Sequence, residues 1–221
     1  MDTLMSMFLS SPRGFRSSQT RDERLAMLDE VDRVQPLREW AMSVEARMPG
    51  RIVPSFDPAE AGVEARTLFV LEAPGPMTNA VSGSRRPGSG FISVDNDDVT
   101  AENLWRAREA AGLHSGFLAW NIVRWYLGPA SVKPKVAEVA EGAASLLELM
   151  RLLPRLETVV LSGRFAQRGW QANIERSLRR PVLNVVETWH PGPKSMNQPG
   201  KRADLIAALR GVANGQRNGA P

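Results

Sequence analysis

The chain of 221 residues contains no cysteine. Disulfides, thiolate zinc sites, cysteine-ligated iron–sulfur clusters and thiol catalysis are thereby excluded. Histidine is nearly as scarce: His114 and His190 are the only two, so any imidazole chemistry falls on one of them. No apolar run approaches the roughly 18 residues of a membrane span. The short apolar stretch near Met1 has no basic segment ahead of it, so neither a signal peptide nor a membrane contact is expected. A reducing, cytoplasmic setting fits a chain without thiols. Also missing are a G-x-G-x-x-G after the first strand and a G-K-[ST], so neither the usual dinucleotide fold nor a P-loop is supported. No internal repeat is present.

What the chain does have is an ordinary apolar share, 43%, enough to bury a sizeable core. One domain is expected over 21–213, between a poorly ordered 1–20 and a frayed tail at 214–221. Net charge is only +4, but it is unevenly placed. Residues 151–221 carry 12 Lys/Arg against 4 Asp/Glu, and residues 1–150 carry 16 against 20. A basic C-terminal part fits a polyanionic partner such as nucleic acid, or simply a solvated arginine-rich face.

Helical periodicity from Arg21 to Met48 predicts two helices divided at Pro36. Beyond a proline-bearing connector, strands and helices alternate. Strands are predicted at Arg66–Leu71, Phe117–Val123, Glu157–Leu161 and Pro181–Thr188. Helices are predicted from Thr100, as N-cap, to Gly112, then at Pro134–Leu153, Arg164–Leu178 and Arg202–Ala213. The strands lack clean alternation, so both faces of the sheet should be covered. The expected class is α/β: a three-layer α/β/α domain with a central four-stranded parallel sheet and the N-terminal helices packed alongside.

Three loops at the carboxyl ends of strands carry the chemistry, at the rim where open α/β sheets bind ligands. Leu71-Glu72-Ala73-Pro74-Gly75-Pro76 forms a rigid turn whose backbone can approach a ligand closely. Asn121 ends a second strand, where an amide makes an Asx turn or pairs with a base edge. His190-Pro191-Gly192-Pro193 follows a third, and Phe91, after Gly88-Ser89-Gly90, either stacks on a flat ligand or closes the core. His114 reads as a residue of an exposed turn.

Taken in order, these motifs resemble the uracil-DNA glycosylase superfamily over roughly residues 66–200. Glu72-Ala73-Pro74-Gly75 is similar to that family's first motif in its G-E-A-P-G form, with Leu71 where Gly is usual. His190-Pro191-Gly192-Pro193 is similar to its H-P-S-P motif. The resemblance implies a monofunctional glycosylase that flips uracil or another deaminated base out of DNA and hydrolyses its N-glycosidic bond. It implies catalytic roles for Glu72 and His190, and base binding by Ala73, Gly75, Phe91 and Asn121. Ala73 stands where the most active members carry a water-activating Asp or Asn, which leaves Glu72 as the substitute. The iron–sulfur members need four cysteines, so no cluster, cofactor or metal is expected here. Arg164, Lys194 and Ser195 would meet DNA phosphate, and Met196 would be the apolar wedge. A monomer is expected. Two rival readings remain: a non-catalytic base-binding module on the same fold, or an unrelated α/β hydrolase binding a small anion with Arg85 or Arg86.

Overall fold

The structure, a computed structural model, describes residues 8–80, 87–128, 132–178 and 183–218. Two helices come first, α1 (Ser18–Glu30) and α2 (Gln35–Ala46), with Pro36 in the first turn of α2. A proline there loses no hydrogen bond, because the first amides of a helix have no partner. Short strands β1 (Ser55–Phe56) and β3 (Phe91–Ile92) pair in parallel as a small separate sheet.

The main sheet contains β2 (Thr67–Leu71), β4 (Phe117–Asn121), β5 (Thr158–Ser162) and β6 (Asn184–Thr188), all parallel, in the order β4-β2-β5-β6. Helices α3 (Val99–Ala111), α4 (Val136–Arg151), α5 (Arg164–Asn173) and α7 (Lys201–Asn218) cover it. α3 packs on α7, α4 packs on α5, and α2 rests on α4 and β1. The fold is the expected α/β class with helices on both faces.

β2, β4 and β5 are buried at every position, in keeping with their unbroken apolar spelling. β6 differs. Its apolar residues suggest a buried strand, but it forms an open sheet edge, where Asn184, Val185 and Glu187 are exposed; the opposite edge, β4, is covered by Glu60 and Ala61, which bond the Ala119 amide and the Phe117 carbonyl.

Residues 8–20 and 214–218 are better anchored than their composition suggests. Phe8 stacks on Phe117 with centroids 5.1 Å apart, and Phe15 is buried against Phe91. The Arg108 guanidinium lies 4.5 Å from the Phe8 ring and 5.7 Å from that of Phe117. Two aromatic side chains thus tie down a segment otherwise rich in Ser, Arg and Gly. At the other end α7 runs on past Ala213. Gln216 Nε2 donates to Thr67 Oγ1 at 2.9 Å and to the Gly116 carbonyl at 3.1 Å.

The connection leaving β2 leads to one side of the sheet and that leaving β5 to the other. Their carboxyl ends therefore part, and such a switch point is where open sheets hold ligands.

Candidate active site

At this rim a cavity of about 340 Å³ opens between the turn after β2, the start of α3, and the ends of β4 and β6. That volume is at the lower end of the range for small-molecule sites. Leu71 and Asn121 are register partners, so the β2 and β4 loops leave the sheet at the same level. Two backbone bonds then join them: Ile122 N–H to the Leu71 carbonyl at 2.8 Å and Val123 N–H to the Glu72 carbonyl at 3.0 Å. β4 itself ends at Asn121, two residues earlier than expected. α3 begins one residue before Thr100. Its cap is Asp98, whose carboxylate accepts from the amides of Thr100 and Ala101 at 2.8 and 2.9 Å.

Ala73, Gly75, Asn121 and His190 all line the cavity. Asn121 is 4% exposed, and among the described residues its amide has no hydrogen-bond partner. It is an amide open to the cavity, not one sealed away from solvent. One that lines a cavity offers a ligand a donor and an acceptor together.

His190 is fixed by its own loop. Its Nδ1 accepts the Gly192 N–H at 3.0 Å. An accepting Nδ1 places the proton of the neutral ring on Nε2, which leaves Nε2–H as the free donor. Burial pushes the imidazole below its ordinary pKa. The nearby Glu72 carboxylate acts against that shift, and the Lys133 ammonium reinforces it. On the far side His190 presses on Gly163 (φ 94°), where an added Cβ would stand 2.7 Å from the His190 Cβ. Any other residue at 163 would displace the imidazole loop.

Glu72 does not line the cavity. Its carboxylate, 18% exposed, pairs with Lys133 Nζ at 2.8 and 3.1 Å. Lys133 also lies 5.5 Å from the Phe165 ring. Nothing in the spelling of the loop after β4 marks Lys133, because this pair joins residues 61 positions apart.

Two expected contacts are corrected. Phe91 is fully buried in the core against Phe15 and does not reach the cavity, whose neighbouring wall is Ile92 and Val94. Pairing of β3 with β1 at Phe91 turns that ring inward. Met196 is only 2% exposed, so it is a core residue and no wedge. Pro193–Met196 forms the short helix α6, and its last residue faces inward against the core. Lys194 and Arg164 are exposed and Ser195 is half-buried. His114 is exposed and pairs with Glu109 at 3.3 Å. Arg85 and Arg86 lie outside the described residues.

Beneath the cavity is a buried polar layer that the sequence did not suggest. Arg24 bonds Asp57 at 2.6 Å and Asp95 at 3.0 Å, and Ser93 donates to Asp57. Glu60 Oε2 accepts the amide of Ala119, a cavity-floor residue, at 2.7 Å. Burial, with the neighbouring Asp57, raises the Asp95 pKa to about 6 and holds Glu60 well above the carboxylate range.

No helix among the described residues is long and apolar enough to cross a membrane. No family model and no curated protein matches the chain.

Proposed function

We propose that the protein is a DNA glycosylase that removes uracil or another deaminated base from DNA by hydrolysis of the N-glycosidic bond. The observation that carries this reading is the pairing, in one cavity, of an unpartnered buried amide, Asn121, with a neutral imidazole whose free nitrogen is a donor. A flipped base presents both a donor and an acceptor edge, which is what a single carboxamide can read.

Bond cleavage leaves negative charge on the departing base and positive charge on the sugar. The His190 Nε2–H donates to a base oxygen as that charge grows. A preorganised donor of this kind is worth about 2.7–4 kcal/mol. His190 acts as a neutral electrophile and gives up no proton. Ala73 carries no group that can hold water, so Glu72 steadies the oxocarbenium sugar and orients the attacking water. The water oxygen bonds to C1′, the C1′–N bond breaks with its electron pair on the base, and the water proton returns to solvent or base.

Excision of uracil from a labelled oligonucleotide, followed by alkaline strand scission, tests this. Cleavage that falls by orders of magnitude in His190→Ala and Glu72→Gln supports the reading. No cleavage of single-stranded, paired or mismatched uracil, hypoxanthine or xanthine overturns it. The Lys133–Glu72 pair favours one second reading, a base-binding module without turnover, because the carboxylate is already neutralised by a partner. Binding to uracil-containing or abasic DNA that survives Glu72→Gln, in a parent without turnover, identifies it.

A further inference from the structure

A second cavity of about 280 Å³ lies behind His190. It is lined by Gly163, Arg164, Gln167, Thr188, Trp189 and Asp204 among others. Trp189 is 44% exposed, unusual for so large an apolar side chain, and directly precedes His190. Two contacts hold its ring in place. Its Nε1–H donates to Asp204 at 3.1 Å, and Lys201 Nζ sits 3.3 Å from the ring centroid. An exposed aromatic ring fixed in this way loses little entropy when a planar ligand stacks on it.

Two cations stand at this ring, Arg164 in the cavity wall and Lys201 over the indole, together with two carboxylates, Glu187 and Asp204. Arg164 opens α5, is exposed, and makes no ion pair among the described residues. Lys201, at the start of α7, brings its ammonium onto the ring itself. The two carboxylates at the cavity, Glu187 and Asp204, already accept from Gln171 and Trp189. Aromatic stacking beside unpaired cations is the arrangement that follows a single nucleic-acid strand.

His190 is the partition between the two cavities. Its ring lines the first, and its Cβ presses on Gly163, which lines the second. Adjacent residues thus serve adjacent subsites.

We infer that Trp189, with Arg164 and Lys201, forms a stacking subsite for an unpaired nucleotide flanking the target base, so that the protein prefers single-stranded DNA. This rests on the glycosylase reading for the identity of the strand. A base paired in a duplex is stacked on its neighbours and presents no free face to the ring. An unpaired neighbour does, and each base–aromatic stack is worth about a five- to hundredfold change in affinity.

The test is equilibrium binding of a labelled, uracil-free oligodeoxythymidine and of its duplex with oligodeoxyadenosine, at one fixed salt concentration, to the whole protein. The parent is expected to bind the single strand more tightly. Trp189→Ala weakens single-strand binding by about five- to hundredfold and removes the preference, and Trp189→Phe restores most of it. Arg164→Ala lowers the slope of log affinity against log salt by about one phosphate contact. A Trp189→Ala protein that is folded by thermal melting and binds the single strand like its parent overturns the inference, as does an equal loss on both DNAs. Excision assays run alongside keep the two ideas apart. Single-strand binding that depends on Trp189, without excision, upholds the subsite and sinks the glycosylase. Excision from single strands that is unaffected by Trp189→Ala does the reverse. A parent that binds neither DNA overturns both.

Discussion

Gly142→Ala is the substitution for which helix propensity and packing disagree most clearly. Gly142 lies inside α4, where replacing glycine by alanine ordinarily gains about 1 kcal/mol. Here the added methyl would stand 1.8 Å from the Ile122 carbonyl oxygen, 2.9 Å from the Ile122 carbonyl carbon and 3.1 Å from the Val123 Cα. All three are backbone atoms, so no side chain can swing aside. Relief requires α4 to move away from the sheet, or the 122–123 backbone to move with it. Overpacking of this kind costs about 1–3 kcal/mol, and a collision with backbone belongs at the upper end. Set against the propensity gain, the net loss should be about 1–2 kcal/mol, a fall in Tm of roughly 2–8 °C for a domain of this size. Gly211→Ala is the control. It sits in α7 with nothing within 4 Å of the new methyl and should gain about 0.5–1 kcal/mol. Urea denaturation followed by tryptophan fluorescence compares the three proteins. A Gly142→Ala protein as stable as its parent would refute the packing argument. The same displacement should reach the site, because Ile122 and Val123 bond the Leu71 and Glu72 carbonyls on either side of the rim. Ligand binding at the Asn121 cavity should then weaken even at temperatures where the variant is fully folded.

Asn121→Leu should change stability by less than about 1 kcal/mol, since no described residue bonds the amide, while base binding falls by about 1–3 kcal/mol; denaturation and binding measured on one sample separate the two. Ring-nitrogen NMR can follow His190 against the exposed His114. His190 should titrate below the ordinary histidine value as the Nε2–H tautomer, move up in Lys133→Met and move down in Glu72→Gln; a doubly protonated ring at pH 7 would contradict the geometry. Asp95 should make stability fall as pH rises from about 4 to about 6. Its folded pKa of about 6 exceeds the unfolded value, so the folded chain holds the extra proton across that window, a difference on the order of 3 kcal/mol once both states are ionised. Denaturation of the parent and of Asp95→Asn across that window tests it: the slope should diminish in the variant.

The strand-end motifs were legible because each follows an apolar run, and the run locates the rim without knowledge of the rest of the chain. The sheet order was not legible in the same way. Val185 and Val186 have the spelling of an interior strand, yet β6 lies at the edge, because β5 is the strand that pairs with β2. Asn121 could be read because the end of β4 places it at the rim. Met196 was misread and Phe91 was left open between ligand and core because both occupy loop-like sequence, and only the contacts around them decide which way a side chain in such a segment turns. The composition of residues 8–20 concealed Phe8 and Phe15, whose burial depends on Phe117 and Phe91, far along the chain.

The sequence by itself determined the class of fold, the strand-end loops and the exclusion of thiol chemistry, since apolar periodicity, turn residues and missing side chains are local properties. Tertiary structure alone decided the rest. It left the Asn121 amide without a partner, put the His190 proton on Nε2, gave Glu72 to Lys133, and buried three carboxylates with one arginine under the cavity floor. Apart from the His190 proton, which the amide of Gly192 in the same turn directs, each depends on a partner tens of residues away or on exclusion of water, and neither is encoded in the spelling of any one segment.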